Sequence, residues 1–305
     1  MNRTLRSAIA AAQCLFIAAA LYSESGSYQG EGGLVYNRTM SDDMTMDMYA
    51  LGGRWYFTPV QTDNAPFREA WFVNKNPWAG INVGMLSMDI DTGMGDTSFS
   101  GMMFGAGGAY LDPELPFGVS MDLTYASYEN DDDSDFTGTM TSFNLLAAYF
   151  IDDPLAVGLD VGMEIAEMEM GSITSETNTM SYSVFGKYVI DIVPGQQWVS
   201  VEASIGMSMD SNDDWDEDVS SFVIDLTCIY YPMNNIGVGL SLSSESGEDE
   251  NYDPAEDVGG TTFGVLATYD HETLFGVQVS YESFSPANDD EDSSSTIGLE
   301  AMYRF

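Results

Sequence analysis

Basic residues are nearly missing from this sequence. Its 305 residues hold 8 Lys and Arg against 49 Asp and Glu, a formal net charge of −41. Phosphate backbones are bound by clustered Lys and Arg, so nucleic acid is excluded as a partner. Cysteine is almost as scarce: Cys14 lies near the N-terminus and Cys228 far downstream. Once a leader is removed no internal disulfide is expected, and no Cys/His metal spacing exists. The one histidine is His271. Beyond the N-terminus no run of eighteen apolar residues occurs, so no spanning helix is expected in the mature chain. Such acidity alone would suit disorder. The 12% aromatics and 30 glycines argue instead for an ordered chain with acid confined to particular segments.

Residues 1–20 carry the features of a secretory signal. Arg3 and Arg6 precede an apolar stretch over 8–21, and Ala18-Ala19-Ala20 offers an A-x-A cleavage site, with Ser23 a second candidate. Ala11-Ala12-Gln13 before Cys14 is a poor lipobox. Residues 21–305 are then expected to form one exported domain.

That domain reads as a succession of alternating segments. Period-two patterning predicts strands near 28–40, 43–57, 78–90, 97–111, 117–129, 136–150, 155–169, 178–192, 198–209, 218–231, 236–246, 259–270, 274–284 and 294–305. Most exceed the usual globular strand of about 5–6 residues and suit strands tilted across a bilayer. The connections alternate in kind. Asp112-Pro113-Glu114-Leu115-Pro116, Asp152-Asp153-Pro154 and Pro232-Met233-Asn234-Asn235 are short, whereas 129–135, 210–218, 245–257 and 289–292 are longer and hold 5, 6, 7 and 4 of the acids. Short turns at one end and long loops at the other predict a closed, antiparallel, up-and-down transmembrane β-barrel of about fourteen strands, with twelve or sixteen as alternatives. Counting parity back from the C-terminus puts the acidic loops outside and the short turns in the periplasm.

One parity of the strands is almost free of charge: Leu155, Val157, Leu159, Val161, Met163 and Ile165 in the seventh, Phe117, Val119, Met121, Leu123 and Tyr125 in the fifth. A charge there at mid-membrane would cost about 2–4 kcal/mol, so this face is expected to meet lipid. The opposite parity is small and polar, which suits a water-filled bore. Its charges are Arg54, Asp122, Asp160, Glu164, Lys187, Glu202, Asp225, Glu282, Glu300 and Arg304. Seven acids against three bases predict a weak cation preference. Aromatics near the short turns (Trp55, Phe57, Tyr149, Phe150, Trp198, Tyr230, Tyr231, Tyr269, Phe275, Tyr303 and Phe305) are expected to form an interfacial girdle.

Other chemistry is thin. Asp131, Asp132, Asp133, Glu248, Asp249 and Glu250 are the candidates for calcium, but they lack the spacing of an EF-hand loop. No cofactor or metal is expected. His271 falls in a short turn on the periplasmic side and no G-x-S-x-G elbow occurs, so neither the Ser–His arrangement of barrel phospholipases nor the His–carboxylate site of omptin-type proteases is available. The 58–77 connection is an exception to the short turns. A helix over 65–74 with Pro66 in its first turn is expected there. The segment is read as a long turn or as lying under the rim, rather than as a plug.

The C-terminal stretch 296–305 puts Ile297, Leu299, Ala301, Tyr303 and Phe305 on one face. With its terminal Phe305 it resembles the assembly signal of bacterial outer-membrane barrels, which implies recognition of Tyr303 and Phe305 by the barrel assembly machinery. Gly52-Gly53-Arg54-Trp55-Tyr56-Phe57-Thr58-Pro59-Val60, followed by Pro66, Glu69-Ala70 and Phe72, is similar to the uncharacterised "putative porin" proteins of proteobacteria. That resemblance implies a porin-type channel of the outer membrane, not an enzyme, in contact with lipid and lipopolysaccharide and passing small hydrophilic solutes. The short third outer loop, 129–135, departs from the trimeric porins, so a monomer is expected over a trimer. The alternative is a barrel that anchors acidic loops for adhesion or ligand binding.

Overall fold

The computed structural model describes residues 27–63, 65–91, 96–130, 136–170, 173–212, 217–249, 256–271, 275–287 and 293–305. The signal segment, Asp131, Asp132, Asp133 and Glu250 lie outside the described residues, as do the tips of the long loops. The side chains of Glu248 and Asp249 are also outside them.

Fourteen strands account for almost all of the described chain: β1 Ser27–Met40, β2 Met44–Gln61, β3 Trp78–Asp91, β4 Asp96–Leu111, β5 Phe117–Asn130, β6 Phe136–Asp152, β7 Leu155–Met170, β8 Ile173–Val193, β9 Gln197–Asn212, β10 Glu217–Met233, β11 Ile236–Asp249, β12 Glu256–His271, β13 Phe275–Pro286 and β14 Ser294–Arg304. Each pairs antiparallel with its sequence neighbours, and β1 closes on β14, from Glu31↔Arg304 to Met40↔Ser295. Closure leaves no edge strand, as hydrocarbon surroundings require of a sheet.

The seam is bound beyond the last strand residue. Gln29 and Gly30 each donate a backbone N–H to the Phe305 carbonyl at 2.8 Å, and Phe305 N–H donates to Gly30 O at 2.8 Å. A Cβ on Gly30 would sit 2.2 Å from the Phe305 ring, so the terminal aromatic packs where only a glycine leaves room.

Exposure alternates along the strands as the lipid argument requires. Leu159 is 59% exposed, Met121 59%, Val184 53% and Leu240 56%, all on the outward parity. The outward aromatics include Trp55, Phe57, Tyr110, Phe117, Tyr149, Tyr230, Tyr269 and Phe275. Three residues expected in that girdle do not belong to it. Phe150, Trp198 and Tyr231 are buried and point inward, one residue out of step with their outward neighbours. What draws them in is the connection between β2 and β3.

That connection corrects two expectations. Among the described residues its only α-helix is one turn, α1 Ala70–Val73, in place of the ten-residue helix over 65–74. Nor is it a long turn or a segment under the rim: it folds into the barrel at the short-turn end. Phe72 packs with Phe150, Ala156, Val189, Trp198 and Tyr231, and Ala65 and Ala70 pack with Tyr28, Tyr56 and Val60. The inserted segment thus fills part of the barrel at one mouth. Fourteen strands enclose more space than eight, whose interior side chains can fill it, and here a piece of main chain fills part of the excess.

Candidate functional site: the bore and the segment across its mouth

The inserted segment is fastened by ion pairs to strands on opposite sides of the barrel. Arg68 donates from Nη1 to Glu300 Oε2 of β14 at 2.9 Å and to Gln278 Oε1 of β13 at 3.3 Å, and its Nε lies 3.6 Å from Asp270 Oδ2 of β12. On the far side Lys187 of β8 places Nζ 3.1 Å from Glu69 Oε2 and 3.2 Å from Glu202 Oε2 of β9. The Tyr231 hydroxyl of β10 donates to Glu69 Oε1 at 3.4 Å. Lys75 reaches Asp153 at 2.9 Å and lies over the Phe150 ring. Lys75 follows the helix with φ +53°, a left-handed position usually given to Gly or Asn. Its ion pair and ring contact hold it there. Phe67 N–H donates to the Asn234 carbonyl in the β10–β11 turn.

A second charged group stands at the barrel seam. Arg304 donates from Nη1 to Asp270 Oδ1 at 2.7 Å, and its Nε lies 3.7 Å from Glu31 Oε2. Both Arg304 and Asp270 are about 1% exposed. Glu31 also accepts from the Tyr56 hydroxyl at 2.9 Å and faces Arg54 Nη1 at 3.4 Å. Arg54 stacks over Trp78 of β3, 4.1 Å from its centroid, with Trp71 of the inserted segment 5.6 Å away.

The ten charges expected on the inward parity therefore divide into two sets. Arg54, Lys187, Glu202, Glu300 and Arg304 belong to the network at the filled mouth. Asp122, Asp160, Glu164, Asp225 and Glu282 stand along the wall with no basic side chain within 4 Å among the described residues. Asn144 donates to Asp160 at 2.7 Å, and Ser204 and Ser243 donate to Asp225 at 2.8 and 2.6 Å. Of the described basic residues only Arg38 lies outside the mouth network, 3.9 Å from Asp47. Positive charge is thus concentrated at one end of the bore and acid spread over the rest.

Six charged members of the mouth network lie outside the inward charges expected from the sequence: Glu31, Arg68, Glu69, Lys75, Asp153 and Asp270. Arg68 and Lys75 carried a signal, since two of eight bases in one connection of an acidic chain imply acidic partners. Asp270 carried none, because it precedes a short turn and reads as a turn residue.

Between the inserted segment and β1–β5 a cavity of about 570 Å³ stays open, lined by Glu31, Arg54, Trp71, Trp78, Asn82 and Asp122 among others. No group of three or more His, Cys, Asp and Glu side chains placed to hold a metal occurs among the described residues.

Comparison with known proteins gives two kinds of finding. A family model described as "putative general bacterial porin" matches residues 6–246. Among solved structures, the outer membrane protein Omp33 of Acinetobacter baumannii is 18% identical, covers 92% of this chain and 100% of its own, and superposes with a TM-score of 0.50. The monoaromatic hydrocarbon channel TodX, in a deltaS2S3 mutant, is 12% identical, with 94% and 93% covered and a TM-score of 0.51. The beta domain of the Bordetella autotransporter BrkA is 9% identical, with 92% and 100% covered and a TM-score of 0.50. At such identities these likenesses concern the fold. A search of curated proteins finds no match.

Proposed function

This chain belongs to the family described as putative general bacterial porins, and on that premise we propose that it is an outer-membrane channel for passive diffusion of small hydrophilic solutes and ions, weakly cation-preferring and narrowed at its periplasmic mouth by the 62–77 segment. The observation that carries this reading is a closed fourteen-strand barrel whose inward parity is small and polar above a partly filled floor. Diffusion needs a wetted path and no reacting groups. Acid side chains that face no base raise the local concentration of cations, the device of acid-lined cation pores. The mouth network, with five bases and their acid partners, is close to balanced, so the preference rests on Asp122, Asp160, Glu164, Asp225 and Glu282.

A second reading keeps the barrel as an anchor for its acidic outer loops, serving adhesion or ligand binding. The segment held from both sides of the mouth favours it, since a fully occluded lumen passes nothing. Planar-bilayer conductance of the refolded protein decides between the two. Discrete conductance steps are expected; their absence, with the protein demonstrably inserted, would leave the anchor.

A further inference from the structure

The open cavity has an asymmetric chemistry. Three acids (Glu31, Asp122, Glu300) and three arginines (Arg54, Arg68, Arg304) line it, so its lining charges balance. Most are already engaged with each other. Arg304 and Arg68 are turned into the mouth network, where Arg68 takes Glu300, and Glu31 is shared by Arg54 and Arg304. Two groups keep capacity. The Arg54 side chain remains 33% exposed, with only long contacts from Nη1 to Glu31 and to the Tyr56 hydroxyl, each at 3.4 Å. Asp122 has no base within 4 Å among the described residues.

Their placement follows from strand register. Arg54 of β2 stands opposite Gly80 of β3, Gly80 opposite Gly107 of β4, and Gly107 opposite Asp122 of β5. The two charges thus end a single line across four strands, with only glycines between them. A Cβ on Gly107 would sit 1.9 Å from Asp122 Oδ1, so the carboxylate lies down over that glycine. Arg54 leans the other way and rests over Trp78 of β3. The charged ends therefore lie above neighbouring strands, whose axes are about 4.8 Å apart. The two side chains form no ion pair within 4 Å, and a bare glycine floor lies between their opposite charges.

We propose that this cavity is a binding subsite for compact zwitterionic solutes of the α-amino-acid type, with the carboxylate held by Arg54, the ammonium by Asp122 and the side chain over the glycine floor towards Trp71. A molecule with both charges on one carbon bridges the gap without displacing the Arg54–Glu31 contact. A singly charged ion satisfies one end and is repelled by the other, and a neutral solute gains neither contact. The volume is within the range of small-molecule sites. As a station on a route through the bore, the subsite rests on the channel reading above; as a binding site it does not.

Two measurements on the full barrel keep these apart. Swelling of liposomes containing the protein is compared for alanine and for lactamide, a neutral molecule of the same size and shape. Alanine is expected to enter faster, and Asp122→Asn to reduce that preference about threefold, the scale of one partly exposed charge contact, with lactamide unaffected. Fluorescence of the protein in detergent, where Trp71 and Trp78 flank the site, reads binding without passage. It is expected to respond to alanine and less so in Asp122→Asn. Equal entry of the two solutes, with Asp122→Asn silent in both measurements, overturns the zwitterion site and leaves the channel standing. A fluorescence response to alanine with no solute entering overturns the channel and leaves the site.

Discussion

Asp270 and Arg304 are about 1% exposed and 2.7 Å apart, and each has a further partner of opposite charge, Arg68 and Glu31 respectively. A buried pair of this kind gives modest net stability but is costly to break, because the survivor loses its short hydrogen-bonded counterion and keeps only the longer contact. Asp270→Ala is therefore expected to destabilise the refolded barrel by about 3–5 kcal/mol, read from the urea midpoint in detergent micelles or liposomes. The paired change Asp270→Ala with Arg304→Met is expected to recover much of that loss, since it leaves no orphan at the seam. Equal stability of the single variant and the parent would mean that water reaches the pair and screens it. Gly30 supplies a second test at the same seam. Its Cβ would meet the Phe305 ring at 2.2 Å, so Gly30→Val is expected to displace the terminal aromatic and to lower the yield of heat-modifiable folded barrel.

Among the elements, the strands and the inserted segment differ in how their sequence reports their structure. In β7 the run Leu155, Val157, Leu159, Val161 and Met163 declares its outward face because lipid excludes charge from it, whatever the neighbouring strands contain. Parity, together with the alternation of short turns and long loops, points to about fourteen strands and to the face of most of their residues. The 62–77 segment has no such uniform solvent. Arg68, Glu69 and Lys75 find their partners at Glu300, Lys187 and Asp153, residues 78 to 232 positions away. Nothing within the segment says that a charge complementary to it waits across the bore. The aromatics follow the same logic: Phe150, Trp198 and Tyr231 lie on the other parity from the girdle and share one buried cluster with Phe72. Because the segment is tied to inward side chains and closes no β-ladder, replacing 64–74 with a short Gly-Ser turn is expected to leave the barrel heat-modifiable while raising single-channel conductance. A milder form, Lys187→Met, removes the cation facing Glu69 and is expected to increase the frequency of the larger conductance level. Unchanged conductance in both variants would place the limiting constriction elsewhere in the bore.

For the molecule as a whole, the distribution of charge along the axis matters more than its total. The net charge of −41 includes the long outer loops, which in 0.1 M salt act over a screening length of only about 10 Å. The wall acids Asp122, Asp160, Glu164, Asp225 and Glu282 stand inside the bore, where low-dielectric walls focus their field and screening is weaker. Of the six described bases, five lie at the far mouth, each within 4 Å of an acid. A cation entering from outside would therefore meet attraction along the wall and a nearly neutral floor, which argues for a weak preference rather than strict selection. In a tenfold potassium chloride gradient the reversal potential is expected to carry the sign of cation preference. Neutralising Asp225 and Glu282 together to Asn and Gln is expected to move it towards zero while conductance changes little, since neither residue touches the inserted segment. Anion preference in the parent protein would show that the arginines of the mouth, and not the acids of the wall, govern passage.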